Sequence, residues 1–333
     1  MKRFVVGFVA AAALAGVAGG QAATEAKQLK IGMVTDVGGL NDRGFNHLAY
    51  VGLLQAKAKL GVKIGVAESR SPADYIPNLA SFARQGYDLV VGVGYTEIGA
   101  MGAVAKRFPN THFAIVDVAN GDLAGKPKNV LGLLFHEEQV GYLAGYLAGL
   151  EAKRLPGRDV VSSVAGEKQP PVDRFIAGYQ AGAKRADPKV TAINSYSQDF
   201  TDQAKCKVIA LNQIAAGSVA VFQVAGGCGL GALQAAKENK VWGIGVDADQ
   251  RYLGAHIMTS ALKRVDKAVM DLTTLAKQGK LKSGKDYVFS LKNGGVSLGS
   301  VSPKVSKAYV TKTVAIGKQI AAGKIKVKST VKF

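Results

Sequence analysis

Three polar clusters hold the side chains best equipped for chemistry, and each follows an apolar run. The first is segment 36–46, DVGGLNDRGFN, with Asp36, Asn41, Asp42, Arg43, Asn46 and one aromatic, Phe45. The second places Tyr95, Thr96 and Glu97 after VVGVG, and closes the run FAIVD on Asp117. The third comprises Gln198 to Phe200, the glycine run 226–231 (GGCGLG) that starts at Gly226, and Asp247 in GVDADQ. Capping of a helix explains one of Asn41 and Asp42, but not three polar residues beside a Phe. These groups suit holding a solute. A carboxylate such as Asp247 accepts hydrogen bonds from adjacent hydroxyls, as a sugar ring offers. Glycines let backbone approach closely, and an aromatic stacked on a flat ligand contributes about 1–3 kcal/mol. Phe45 and Phe200 have the same alternative, which is packing into their own halves of the molecule.

The usual signatures of turnover are missing. The four histidines, His47, His112, His136 and His256, are scattered, and FHEEQ is not HExxH. No G-x-x-x-x-G-K-[ST] loop occurs. The GGCGLG run follows a strand and opens a helix, where a dinucleotide-binding turn would sit. It lies deep in the chain, and the next strand ends about 16 residues on, closer than that fold needs. No cofactor and no metal is expected, and the chain reads as a non-enzyme.

The elements that must position these clusters alternate. Apolar runs at 29–35, 63–67, 88–93 and 111–117 are separated by helical periods at 45–60, 76–85 and 98–107. A second series has runs at 159–164, 190–195, 219–224 and 241–247, with helices at 137–150, 174–185, 203–215 and 230–238. Such alternation predicts parallel sheets covered on both faces, an α/β class. The series share a pattern: a glycine-rich turn after one strand and an Asp at the end of a later one, Asp117 and Asp247. Two similar lobes follow, each a doubly wound sheet. Solutes bind such sheets past the carboxyl ends of the strands, so a cleft between the lobes is the expected site. Beyond 250, a short strand and a helical segment over 256–278, an extended stretch over 287–296 and a last helix over 305–322 complete the chain.

The chain has 333 residues and a net charge of +19, long enough for two cores. Lysines crowd the last helix and tail, from Lys304 to Lys328. Without a helix-turn-helix, finger or RNP-like pattern, nucleic acid is not an expected partner. Lys2 and Arg3, an apolar stretch over 4–20 and small residues at 21–23 have the order of a secretory signal, residues 1–23. The mature protein is expected to be exported, in the periplasm or otherwise outside the cytoplasm, and monomeric. Cys206 and Cys228 are the two cysteines. In an oxidising compartment they are a disulfide candidate, and two buried thiols is the other reading.

Segment 36–46 resembles the opening motif of the basic membrane protein family, nucleoside-binding proteins of bacterial ABC importers. Segments 108–117 (FPNTHFAIVD), 141–148 (GYLAGYLA), 241–250 (VWGIGVDADQ) and 259–266 (TSALKRVD) match later family motifs in order. The resemblance implies the type I periplasmic-binding-protein fold, two lobes joined by a three-stranded hinge. The first lobe would hold residues 28–132 with 254–284, and the second 136–250 with 288–333. The crossings would fall near 130–136, 254–256 and 285–288. It further implies a small nucleoside-like ligand and an ABC permease as partners. Phe45 matches the first of two aromatics that sandwich a purine, with Phe200 as the second. Asp117 would contact the base, Asp247 the ribose, and Lys263 would lie near the sugar, while Asp36, Asn41 and Asn46 line the first loop beside Tyr95 and Gly226. Many relatives carry a lipid on a Cys at the mature start, and no Cys stands there in this chain. A ligand sensor, or a receptor for another flat polar solute such as a sugar, a different nucleobase or a carboxamide, is the alternative.

Overall fold

The computed structural model describes Met1, residues 28–155, Gly157 and residues 159–330. The expected secretory signal, beyond Met1, lies outside the described residues. The first α/β series is β1 (Lys30–Thr35), α1 (Phe45–Leu60), β2 (Lys63–Ala67), α2 (Tyr75–Arg84), β3 (Leu89–Val93), α3 (Ile98–Arg107), β4 (His112–Val116) and β5 (Val130–Phe135). The chain then runs through α4 (Glu137–Lys153) into β6 (Val160–Ala165), α5 (Pro170–Ala186), β7 (Thr191–Tyr196), α6 (Gln203–Ala215), β8 (Ser218–Val224), α7 (Gly229–Glu238), β9 (Trp242–Asp247) and β10 (Ile257–Lys263). It finishes with α8 (Val265–Lys277), β11 (Asp286–Phe289), β12 (Val296–Leu298) and α9 (Lys307–Ala321).

Two six-stranded sheets result, ordered β2-β1-β3-β4-β5-β11 and β7-β6-β8-β9-β10-β12. The orders correspond strand for strand, so the pattern shared by the two halves of the sequence is a shared topology. Every pairing is parallel except β10 with β12. Strands covered on both faces read as unbroken apolar runs, and β3, LVVGV, is buried at every position. In each sheet the chain turns one way after its first strand and the other way afterwards. The switch points lie between β1 and β3 and between β6 and β8, where crevices open.

The lobes exchange chain three times, at matched devices. His136 follows β5 with φ −89° and ψ 66°, and its Nδ1 lies 2.7 Å from Glu138 Oε1. Arg264 follows β10 with φ −82° and ψ 63°, and it pairs with Asp266 at 2.8 and 2.7 Å. The third crossing is the turn Leu291–Asn293 between β11 and β12. Two crossings therefore differ from the sequence expectation. The short run IMTSALK stays in the second sheet, hydrogen-bonded to β9, so the return comes at Arg264 and not at 254–256. β11 pairs with β5, so the last crossing follows Phe289 and not 285–288. The helical segment expected over 256–278 is β10 plus α8, and the extended stretch over 287–296 is interrupted by the turn.

α4 crosses into the second lobe in backbone contact with α5. A Cβ added at Gly145 would overlap the Tyr179 carbonyl, and one at Gly182 the Tyr142 carbonyl. These glycines cost helix propensity and in return let the helices touch. One buried cluster runs from Ile31 and Leu53 through Leu147 to Tyr179 and Phe222, continuous between the lobes.

Candidate functional site

A cavity lies between the carboxyl ends of the two sheets. Asp36, Phe45, Asn46, Tyr95, Asp117, Phe200, Gly226, Asp247 and Lys263 all line it. Asn41 does not. It lines a groove at the outer mouth, with Arg43 and His47 of the first lobe and Ala248 and Tyr252 of the second. The first-lobe wall is a braced loop. Asp42 accepts from the backbone N–H groups of Gly44, Asn46 and His47 at 2.9, 2.6 and 3.1 Å, so it caps α1. Asn46 Nδ2 donates to Asp36 Oδ1 at 2.7 Å, and its Oδ1 accepts from Asp36 N at 3.3 Å. The loop is therefore fixed without help from a solute, and Phe45 opens α1 at its edge.

Asp117 and Asp247 occupy equivalent places, at the ends of β4 and β9, and both adopt left-handed backbone, φ 74° and 60°. For a residue with a Cβ that conformation carries strain, and here it turns two buried carboxylates into the cleft. Burial pushes Asp247 up to about 7, against the pull of Lys263 and with added repulsion from Asp42, Asp117 and Glu137. Burial likewise raises Asp117 to about 6, again opposed by Lys263, and Asp36 to about 6 despite its bond from Asn46.

Lys263 ends β10 in the second sheet and reaches the first. Its Nζ donates to Asp117 Oδ1 and Oδ2 at 2.6 and 2.7 Å and lies 2.9 Å from Glu137 Oε1. It also stands over the rings of Phe45 and Phe135, 5.0 and 4.9 Å from their centroids. Burial alone would lower this ammonium, but Asp117, Glu137 and Asp247 outweigh it and hold it above its ordinary value. Arg174 pairs with the other side of Glu137 at 2.7 Å. Among the described residues that line the cavity, Lys263 is the one cation against four carboxylates, Asp36, Asp42, Asp117 and Asp247, and both it and Arg174 behind Glu137 are engaged.

The second lobe adds residues that the sequence reading passed over. Gln169, Pro171, Val172 and Phe175 line the cavity from the start of α5. The only local signal is that PPVDRF opens the next helix, with four residues between it and the end of β6. Phe200 lies against Gly166, where a Cβ would overlap its ring. Cys206 and Cys228 form a disulfide, with Cα atoms 5.6 Å apart. Among the described residues no group of acids, His and Cys could hold a metal. Segment 295–299, GVSLG, spells G-x-S-x-G, but Ser297 lies within β12 and pairs with Leu262. A nucleophile elbow needs a strand-to-helix turn, so this is a coincidence of spelling.

The model of the Bmp family, described as ABC transporter substrate-binding protein PnrA-like, matches residues 29–331. The chain belongs to this family. This Bmp protein is therefore a substrate-binding protein of an ABC transporter and not an enzyme. Proteins of this class work outside the cytoplasm, with a small-molecule ligand and a membrane permease as partners. It is 35% identical over 293 residues to the ABC transporter nucleoside-binding protein BmpA of Lactococcus lactis, covering 81% of each chain. It is 32% identical over 294 residues to basic membrane protein B of Borrelia garinii, covering 86% of this chain and 85% of that one. A solute-binding protein of an ABC transporter system from Aeropyrum pernix superposes with a TM-score of 0.82 at 26% identity, covering 91% of this chain and 94% of that one. The type I fold inferred from the motifs is the fold of these structures.

Proposed function

We propose that this Bmp protein captures a purine nucleoside between its lobes and presents it to the permease. The observation that carries the reading is the composition of one cavity. It joins an aromatic from each lobe, Phe45 and Phe200, to carboxylates at equivalent strand ends, Asp117 and Asp247. Two rings suit a flat base, and paired hydroxyls suit a carboxylate. In this reading Phe45 and Phe200 flank the base, with Asp36, Asn46, Tyr95 and Asp117 along its edge. Asp247, Lys263 and the Gly226 backbone take the sugar, and Asn41 belongs to the rim. The name of the Lactococcus relative, nucleoside-binding, points the same way. A solute that touches both lobes favours the closed form and shifts the population toward it. The mouth groove, built from both lobes, is then the surface that reports closure.

Mass spectrometry of whatever denaturation releases from the protein, purified from its own host without dialysis, tests the reading. The expected species is a purine nucleoside. A hexose, an amino acid or a carboxamide in stoichiometric amount would overturn it.

A further inference from the structure

The Cys206–Cys228 disulfide lies behind the second-lobe wall of the cleft, and both cysteines are fully buried. Cys206 sits in the first turn and a half of α6, which begins three residues after Phe200. Cys228 immediately precedes α7 and belongs to the glycine run whose first two members, Gly226 and Gly227, line the cavity. The two helix starts touch, since a Cβ at Gly231 would overlap the Gln203 carbonyl. The bridge therefore ties the loop that carries Phe200 to the loop that carries Gly226.

The Phe200 loop needs such a tie. Gln198, two residues earlier, holds left-handed backbone at φ 54°, a conformation that persists only when its surroundings enforce it. Within the loop, Asp199 accepts from the N–H groups of Thr201 and Asp202 at 2.8 and 2.9 Å and pairs with Lys205 at 2.9 Å. Those contacts brace the loop against itself and against α6. The loop is also held to the end of β6, where Ser197 N donates to the Ala165 carbonyl at 2.7 Å and Gln198 N to the Gly166 carbonyl at 3.2 Å. Two further contacts hold Phe200 itself. Cys228 N donates to the Phe200 carbonyl at 2.9 Å, and the Phe200 ring rests on Gly166. The first of these comes from a disulfide cysteine.

We propose that Cys206 and Cys228 are positioning residues for ligand capture: their bridge holds Phe200 in place as a preformed wall of the cleft. The residues that share in this are Gly166, beneath the ring, and Gly226 and Gly227, against the Phe200 backbone. Ordering a wall before the solute arrives removes that ordering from the binding step. The affinity part of this proposal rests on the nucleoside reading above; the structural part does not.

The test compares wild-type protein with the Cys206→Ala/Cys228→Ala variant, by backbone hydrogen exchange and by calorimetric titration with adenosine, guanosine and inosine. Exchange is expected to quicken over 198–203 and 226–229 while β6 and β8 stay protected. Affinity is expected to fall about three- to tenfold, the scale of re-ordering one side chain and its loop. In a Phe200→Ala background, removing the bridge should cost no further affinity, which a merely stabilising disulfide would not predict. Should that variant not fold, the Cys206→Val/Cys228→Ala variant, which refills the buried space of the bridge, is read in the same way. Unchanged exchange in those two segments, or an equal loss of affinity with and without Phe200, overturns the proposal. If no nucleoside binds any form, the nucleoside reading fails, and the exchange result alone decides whether the bridge holds the wall.

Discussion

Lys263 Nζ, on the last residue of β10 in one sheet, donates to both oxygens of Asp117, which follows β4 in the other, at 2.6 and 2.7 Å. The pair joins the lobes inside the cavity that the solute is proposed to enter. Both side chains are nearly inaccessible, 2% and 5% exposed. The ion pair therefore has a double role: it closes the floor of the cleft, and it fixes the direction in which Asp117 can still accept.

Lys263→Met is expected to lower the free energy of unfolding by about 3–5 kcal/mol, because it strands Asp117 as a buried carboxylate without its cation and leaves Glu137 with Arg174 alone. Chemical denaturation of both proteins measures this. A loss below about 1 kcal/mol would show that the pair is solvated in solution.

Phe45→Ala should weaken nucleoside binding by at least about 1 kcal/mol if its ring stacks a base. Titration calorimetry reads the change directly. Equal affinity of the two proteins would assign Phe45 to packing and to its contact with Lys263.

Acid should first stabilise the empty protein. Asp36 and Asp117 are raised to about 6 and Asp247 to about 7, all chiefly by burial. The folded state then binds more protons than the unfolded chain between the ordinary carboxylate range and pH 7, so stability rises as pH falls through that window. Asp199 has the opposite sign, because its bonds from Lys205, Asp202 and Thr201 hold it well below its usual value. Its contribution is lost only in stronger acid. Thermal melts should therefore rise by at least about 3 °C from pH 8 to pH 5 and fall at lower pH. Binding should run the other way. A hydroxyl that donates to ionised Asp247 favours the ionised form, so binding releases protons near pH 6.5 and affinity falls below pH 7. A melting temperature flat from pH 8 to pH 5 would contradict the burial of these carboxyls.

Phosphorylated solutes should be rejected. The cleft holds more carboxylates than cations, and both Lys263 and Arg174 are already paired. A nucleoside 5′-monophosphate would add negative charge beside Asp36, Asp117 and Asp247 at low dielectric, so it should bind at least about tenfold more weakly than the nucleoside. Comparable affinities, measured by competition at constant ionic strength, would mean that a cation is free to meet the phosphate.

The legible parts of the sequence were those whose local chemistry decides the outcome. Apolar runs alternating with helical periods set the two sheets, and Asp117 and Asp247 stood out because each ends such a run. The loop around Phe45 was visible as more polar groups than a helix cap needs. Other features were decided by tertiary contacts. Whether IMTSALK stays with β9 or returns to the first lobe depends on which sheet edge is free, and nothing in its own residues tells that. Asn41 looks like its neighbours in sequence, yet the turn at Gly39 and Arg43, φ 61° and 54°, accompanies its placement at the mouth and not in the cavity. Phe175 fell inside an expected helix and Val172 just before it, and only the facing lobe makes them a wall. The interlobe reach of Lys263 was likewise invisible, since the resemblance placed it near a sugar and not against Asp117.

Calorimetric titration of the purified, ligand-free protein with adenosine, guanosine, inosine, cytidine and uridine bears most directly on the central claim. Saturable one-to-one binding of at least one purine nucleoside is expected, with weaker or no binding of the pyrimidines. No saturable heat with any of the five would contradict it.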